Sequence, residues 1–140
     1  MAIGDVNKII RAYLITVGSL TTLVGGTNPR IYCPRLPENA TLPAVSFFTR
    51  GGTANPHIPG IPSPSVQFNC WADNPIDARE VYGALYDALQ GLQDQDVVVG
   101  ATTYKILSAI EEVQGQDLVD VDIPEYFSVL TFFEVMIKAE

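Results

Sequence analysis

The 140 residues are expected to form one domain, since no charge run, low-complexity tract or second composition zone marks a linker. A hydrophobic share of 47% argues against disorder, and a net charge of −8 argues against a sequence-reading nucleic-acid binder, which needs basic residues to neutralise phosphates. Two cysteines without a CxxC pair and a single histidine leave too few ligands for a metal site.

Asp5 is placed to cap a first helix in which Val6, Ile9, Ile10, Tyr13 and Val17 recur at helical spacing, with Asn7, Lys8 and Arg11 on the other side. Gly18 is expected to interrupt it, Ser19 to cap a short second piece through Leu20, Leu23 and Val24, and Gly25-Gly26 to end the helix. Residues 12–29 are uncharged. They are also rich in Thr and Ser and broken by Gly25-Gly26, so a membrane span is rejected. Asp5, Lys8 and Arg11 interrupt any secretory signal pattern.

Pro29, Pro34, Pro37 and Pro43 leave room only for a short strand around Arg30 to Tyr32. Residues 44–50 form the first convincing strand. Its expected partner is 65–72, where Val66, Phe68 and Cys70 alternate with Gln67, Asn69 and Trp71. Between them, residues 51–64 read as a Gly/Pro-rich loop, too long for a tight hairpin. Its four prolines restrict the unbound chain, which suits a docking arm; Gly51, Asn55, His57, Ile58 and Ile61 are its candidate partner contacts.

Asn74 and Pro75 open a helix expected to run to about Leu92, with Ala78, Val81, Tyr82, Leu85, Ala88, Leu89 and Leu92 on one face. Residues 97–99 and 102–113 read as two strands around a Gly100-Ala101 turn, and 111–125 as an acidic, irregular connector. Residues 126–138 read as a long final strand. One face holds Phe127, Val129, Phe133, Val135 and Ile137, and the other holds Tyr126, Leu130, Phe132 and Met136. Apolarity on both faces implies a central position or cover from another subunit. The order predicts an α+β fold: a mainly antiparallel sheet with helices packed on one face.

No motif carries catalytic chemistry. His57 has no local group to hold it as a base, and Gly25-Gly26 and Gly51-Gly52 lack the Lys and Ser/Thr of a phosphate-cradling loop. Glu111, Glu112, Asp117, Asp120, Asp122 and Glu125 read as a solvated acidic face; a cation at a subunit interface or a negative ring lumen is the alternative. Trp71 reads as a residue packed between sheet and helix. Cys33 and Cys70 read as buried thiols in preference to a disulfide.

The order of Leu36-Pro37, Leu42-Pro43-Ala44-Val45, the strand ending Trp71-Ala72 and the helix carrying Ala78-Arg79 resembles the tail-terminator, or tail-completion, proteins of long-tailed bacteriophages. That resemblance implies a non-enzymatic virion protein without cofactors, assembled as a hexameric ring. The ring ends tail-tube growth, contacts the tube protein and the head-tail connector or stopper, and lets DNA pass without specific binding. The family has no catalytic residues to carry over. Tyr126, Leu130, Phe132 and Met136 are the candidate subunit interface. Two other readings stay open: a different neck protein, such as a head-completion adaptor or stopper, and a small ligand-binding α+β domain.

Overall fold

Helix α1 (Val6–Leu14) begins where Asp5 accepts a hydrogen bond from the Asn7 backbone N–H at 3.0 Å. Such a cap contributes about 1 kcal/mol, and nine residues are too few to hold a helix in water without packing. That packing comes from Ile9, Ile10, Tyr13 and Leu14, all buried, while Lys8 and Arg11 stay exposed. In the computed structural model the described residues are 5–27, 29–33, 41–53, 63–119 and 126–139. Helix α2 (Gly18–Thr21) follows directly. The expected interruption is found just before Gly18, at residues 15–17, and Gly18 opens the second piece with Val17, not Ser19, as its cap. Gly25 and Gly26, with φ of 122° and 66°, turn the chain, but α2 has already ended at Thr21, short of the Leu23 and Val24 expected in it.

The six strands are β1 (Ile31–Tyr32), β2 (Ala44–Thr53), β3 (Ser63–Ala72), β4 (Leu92–Val99), β5 (Thr102–Val119) and β6 (Phe127–Ala139). They form one curled sheet in the order β1-β2-β3-β6-β5-β4, within an α+β architecture. The β1–β2 ladder is parallel; the other four are antiparallel. Helix α3 (Pro75–Leu89) lies on β3, β5 and β6, α2 on α3, and α1 touches β1, β2 and β4. Contact with both outermost strands places α1 across the mouth of the curl.

The core joins α1, α2 and α3 to the sheet face carrying Val45, Phe47, Val66, Phe68, Cys70, Val129, Phe133, Val135 and Ile137. Phe68 is central: its ring is 5.6 Å from Phe47 and 5.7 Å from Phe133, edge-on to the latter. Each fully buried side chain of this size contributes about 1.5–3 kcal/mol of transfer free energy. Cys70 is buried and Cys33 only partly so, and both thiols are free; burial pushes each thiol pKa up, with Asp5 adding to the effect at Cys33.

Several boundaries differ from expectation. Helix α3 ends at Leu89 because Gln90 leaves helical geometry (ψ 123°) and Gly91 reverses the chain at φ 79°, so Leu92 opens β4. Gly51 belongs to β2, not to a loop: its φ of 95° accommodates a register shift between Thr49 and Gly52. Likewise Ser63 and Pro64 are strand residues. Most notably, 111–119 is not an irregular connector. It continues β5, paired along β6 as far as Val119 opposite Phe127, with the irregularity absorbed by register shifts between Ile106 and Gln116.

Candidate assembly surface

Register brings the side chains of the second sheet face into rows. Phe48, Gln67, Phe132 and Val113 lie side by side across β2, β3, β6 and β5, and Ser46, Asn69, Leu130 and Gln116 form the next row. Ser65, Glu134 and Ile110 follow, and then Met136 beside Ser108. The helices occupy the opposite face, where the odd-numbered residues of β6 meet α3. Tyr126, Leu130, Phe132 and Met136 therefore share one face, each half-buried in the single chain. Ile110 and Val113 remain 54% and 49% exposed there.

The face has internal order. The Arg50 guanidinium stacks on Phe132 at 5.0 Å from the ring centroid, an arrangement worth about 0.5–1 kcal/mol at an exposed site. Trp71 donates its indole N–H to Ser46 Oγ at 2.8 Å and meets Tyr126 edge-on at 6.3 Å. Trp71 thus lies on the face away from the helices, correcting the expected sheet-to-helix position; Cys70 and Ala72, its neighbours in β3, take the core. Phe48, Trp71, Ile110 and Val113 join the candidate interface residues although sequence patterning did not group them. Their signal is cross-strand pairing, which appears only once register is known. Gly51 lies in β2, while Asn55, His57, Ile58 and Ile61 fall outside the described residues.

On the helix side, the acidic part of β5 is partly an internal network. Glu111 Oε2 accepts from Tyr82 Oη at 2.6 Å and from Thr131 Oγ1 at 2.8 Å, and Gly115 N–H donates to Tyr82 Oη at 3.2 Å. Asp117 pairs with Arg79 at 2.8 Å, and Glu112 accepts from Ser65 on the other face. Glu111 is therefore not part of a uniformly solvated face. Asp120, Asp122 and Glu125 lie outside the described residues. Among the described residues, no group of three or more His, Cys, Asp or Glu could hold a metal ion.

Burial raises the Tyr82 pKa first, and the hydrogen bond to Glu111 raises it further; burial also raises Tyr13. A phenol whose folded pKa lies above its unfolded value near 10 retains its proton longer in the folded chain. Its stability contribution is complete below pH 10 and is lost as pH climbs through the raised folded value. Cys70, also raised, acts with the same sign from about pH 9 upward. Thermal melts between pH 8 and pH 11 should show stability falling with pH, and less steeply in Tyr82→Phe. An equal slope in that variant removes Tyr82 from the account.

No protein-family model matches the chain, and no curated protein is significantly similar to it. No described helix is long and apolar enough to cross a membrane.

Proposed function

We propose that this chain is a structural, non-enzymatic subunit of a long-tailed phage or prophage. Copies assemble as a ring, six by the resemblance, at the head-proximal end of the tail. The ring ends tube polymerisation and offers a surface to the connector or stopper of the filled head, with DNA passing through the lumen. The fold proposed for this role is a mainly antiparallel sheet whose helices keep to one face.

The observation that carries the reading is the half-buried apolar row Leu130, Phe132 and Met136, with exposed Ile110 and Val113, on the face away from the helices. A sheet face of this composition gains by losing water to a neighbouring subunit. A specific contact of this kind removes about 1,000 Å² or more from solvent.

Phe132→Asp tests it. The carboxylate should leave the helix-side core and its melting transition close to wild type while abolishing ring-sized species in sedimentation velocity. Rings that persist with the charge in place would show that this face is not the interface. Deleting the gene tests the wider role: overlong tubes beside filled, tailless heads are expected. Leaking heads with tails of normal length would assign the chain to the adaptor or stopper.

A further inference from the structure

The charges of this chain are segregated along the sequence. Residues 1–50 hold five basic residues and two acidic ones, whereas residues 73–125 hold twelve acidic residues and only Arg79 and Lys105 as bases. The ion pairs formed lie within the second stretch, although α1 packs against β4. Arg79 is paired with Asp117, Lys105 with Asp96 at 3.6 Å, and Arg50 lies over Phe132. Among the described residues, Lys8, Arg11 and Arg30 have no carboxylate within ion-pair distance.

These three line adjoining clefts at the β1 end of the sheet. Arg11 donates its Nε–H to the Ile31 carbonyl at 3.0 Å, and Arg30 donates its own to the Pro43 carbonyl at 2.8 Å. Each guanidinium is thereby anchored by one donor, with its Nη groups left for another acceptor. A cleft of about 430 Å³ is bounded by both arginines together with Thr27 and Tyr32. Lys8 and Arg11 border a second cleft with Asn7 and Asp5, whose carboxylate is engaged in capping α1. Two anchored forks beside two hydroxyl-bearing side chains suit a carboxylate, which a guanidinium binds through paired hydrogen bonds.

A carboxylate source lies at the other end of the sheet order. Strand β4 is the last strand opposite β1, and Gln93, Asp94, Gln95 and Asp96 along it are all exposed. Asp94 has a φ of 50°, which turns the strand locally, and the Asp96 side chain stays 62% exposed beside Lys105. We propose that the Arg11–Arg30 cleft of one copy receives the Asp94/Asp96 edge of a second copy. This inference rests on the reading of the chain as self-assembling, and it adds direction to that assembly. An apolar sheet face supplies area without orientation. A basic patch meeting an acidic patch is a contact between unlike surfaces, which admits the head-to-tail arrangement that a closed ring requires.

The test is a charge exchange followed by sedimentation velocity on the full chain. Wild type should assemble at 50 mM NaCl and need at least a tenfold higher concentration at 500 mM, because screening shortens the Debye length to below about 5 Å. Lys8→Glu/Arg30→Glu and Asp94→Lys/Asp96→Lys should each stay monomeric alone. Mixed in equal amounts they should associate again, each reversed patch now facing its opposite, an outcome that unfolded variants cannot give. Wild type that stays monomeric at every salt and concentration sinks the self-assembly reading itself. Assembly of both variants like wild type, no recovery on mixing, or assembly insensitive to salt overturns the charge contact alone. Retention of a DNA duplex at 150 mM NaCl, lost in Lys8→Glu/Arg30→Glu with self-assembly unchanged, assigns the cleft to phosphate and also overturns it.

Discussion

Phe133→Ala should lower stability by about 3–5 kcal/mol, the usual range for removing a fully buried aromatic side chain. Phe133 is 0% exposed, sits edge-on to Phe68, and lies directly opposite Val66 on β3 and Glu111 on β5. Its loss would leave a cavity bordered by three strands that are held in register by their own hydrogen bonds and can collapse only in part. For a domain of ordinary stability, about 5–15 kcal/mol, this is roughly a fifth or more of the total. The melting temperature should fall by roughly 10 °C or more. The informative control is the next residue. Phe132 faces the other side of the sheet under Arg50, so Phe132→Ala should cost about 1 kcal/mol in the single chain. Equal losses at the two positions would mean that both faces of β6 are core, and the assembly surface would then have to lie elsewhere.

Gly115→Ala is expected to have the second-largest effect, from a single methyl group. A Cβ at this position would lie 2.8 Å from Tyr82 Cζ and 2.8 Å from Val129 Cγ1. The tyrosine ring is held in place by the Glu111 carboxylate at one side and by the Gly115 N–H itself, and Val129 is buried under α3. Overpacking of this kind costs about 1–3 kcal/mol, while alanine recovers about 0.4–1 kcal/mol by restricting the unfolded chain. The net loss should be on the order of 1–2 kcal/mol in chemical denaturation. Combining it with Tyr82→Leu should shrink the added penalty, because contacting residues do not contribute additively. If Gly115→Ala matches or exceeds wild-type stability, the close approach of α3 to β5 is wrong.

The legible parts of this fold are those that depend on near neighbours in the chain. Asp5 and Asn74 act as helix caps because a side-chain oxygen reaches a backbone N–H two or three residues away, and no distant partner is needed. The alternation in residues 65–72 and the two-faced pattern of β6 are equally local, since the pleat fixes which side each residue takes. Errors fall where a local signal competes with tertiary pairing. Leu92 fits the helical stripe of α3, but Gly91 turns the chain and Ala109 on β5 becomes its partner. Glu111 to Val119 lack an apolar alternation, yet the ladder with β6 satisfies their backbone groups and the register shifts absorb the mismatch.

For the candidate site the division is the same. Composition and periodicity established that Tyr126, Leu130, Phe132 and Met136 share a face and that acidic residues accumulate after residue 73. Only the folded sheet decided that Trp71 belongs to that face, that Val113 lies beside Phe132, and that Glu111 turns inward to Tyr82 and Thr131. The physical reason is the range of the interactions. Caps and pleats act within a few residues, whereas the partners across a strand ladder are separated by tens of residues. Their identity depends on register, which hydrophobic burial, bulges and strand order settle together.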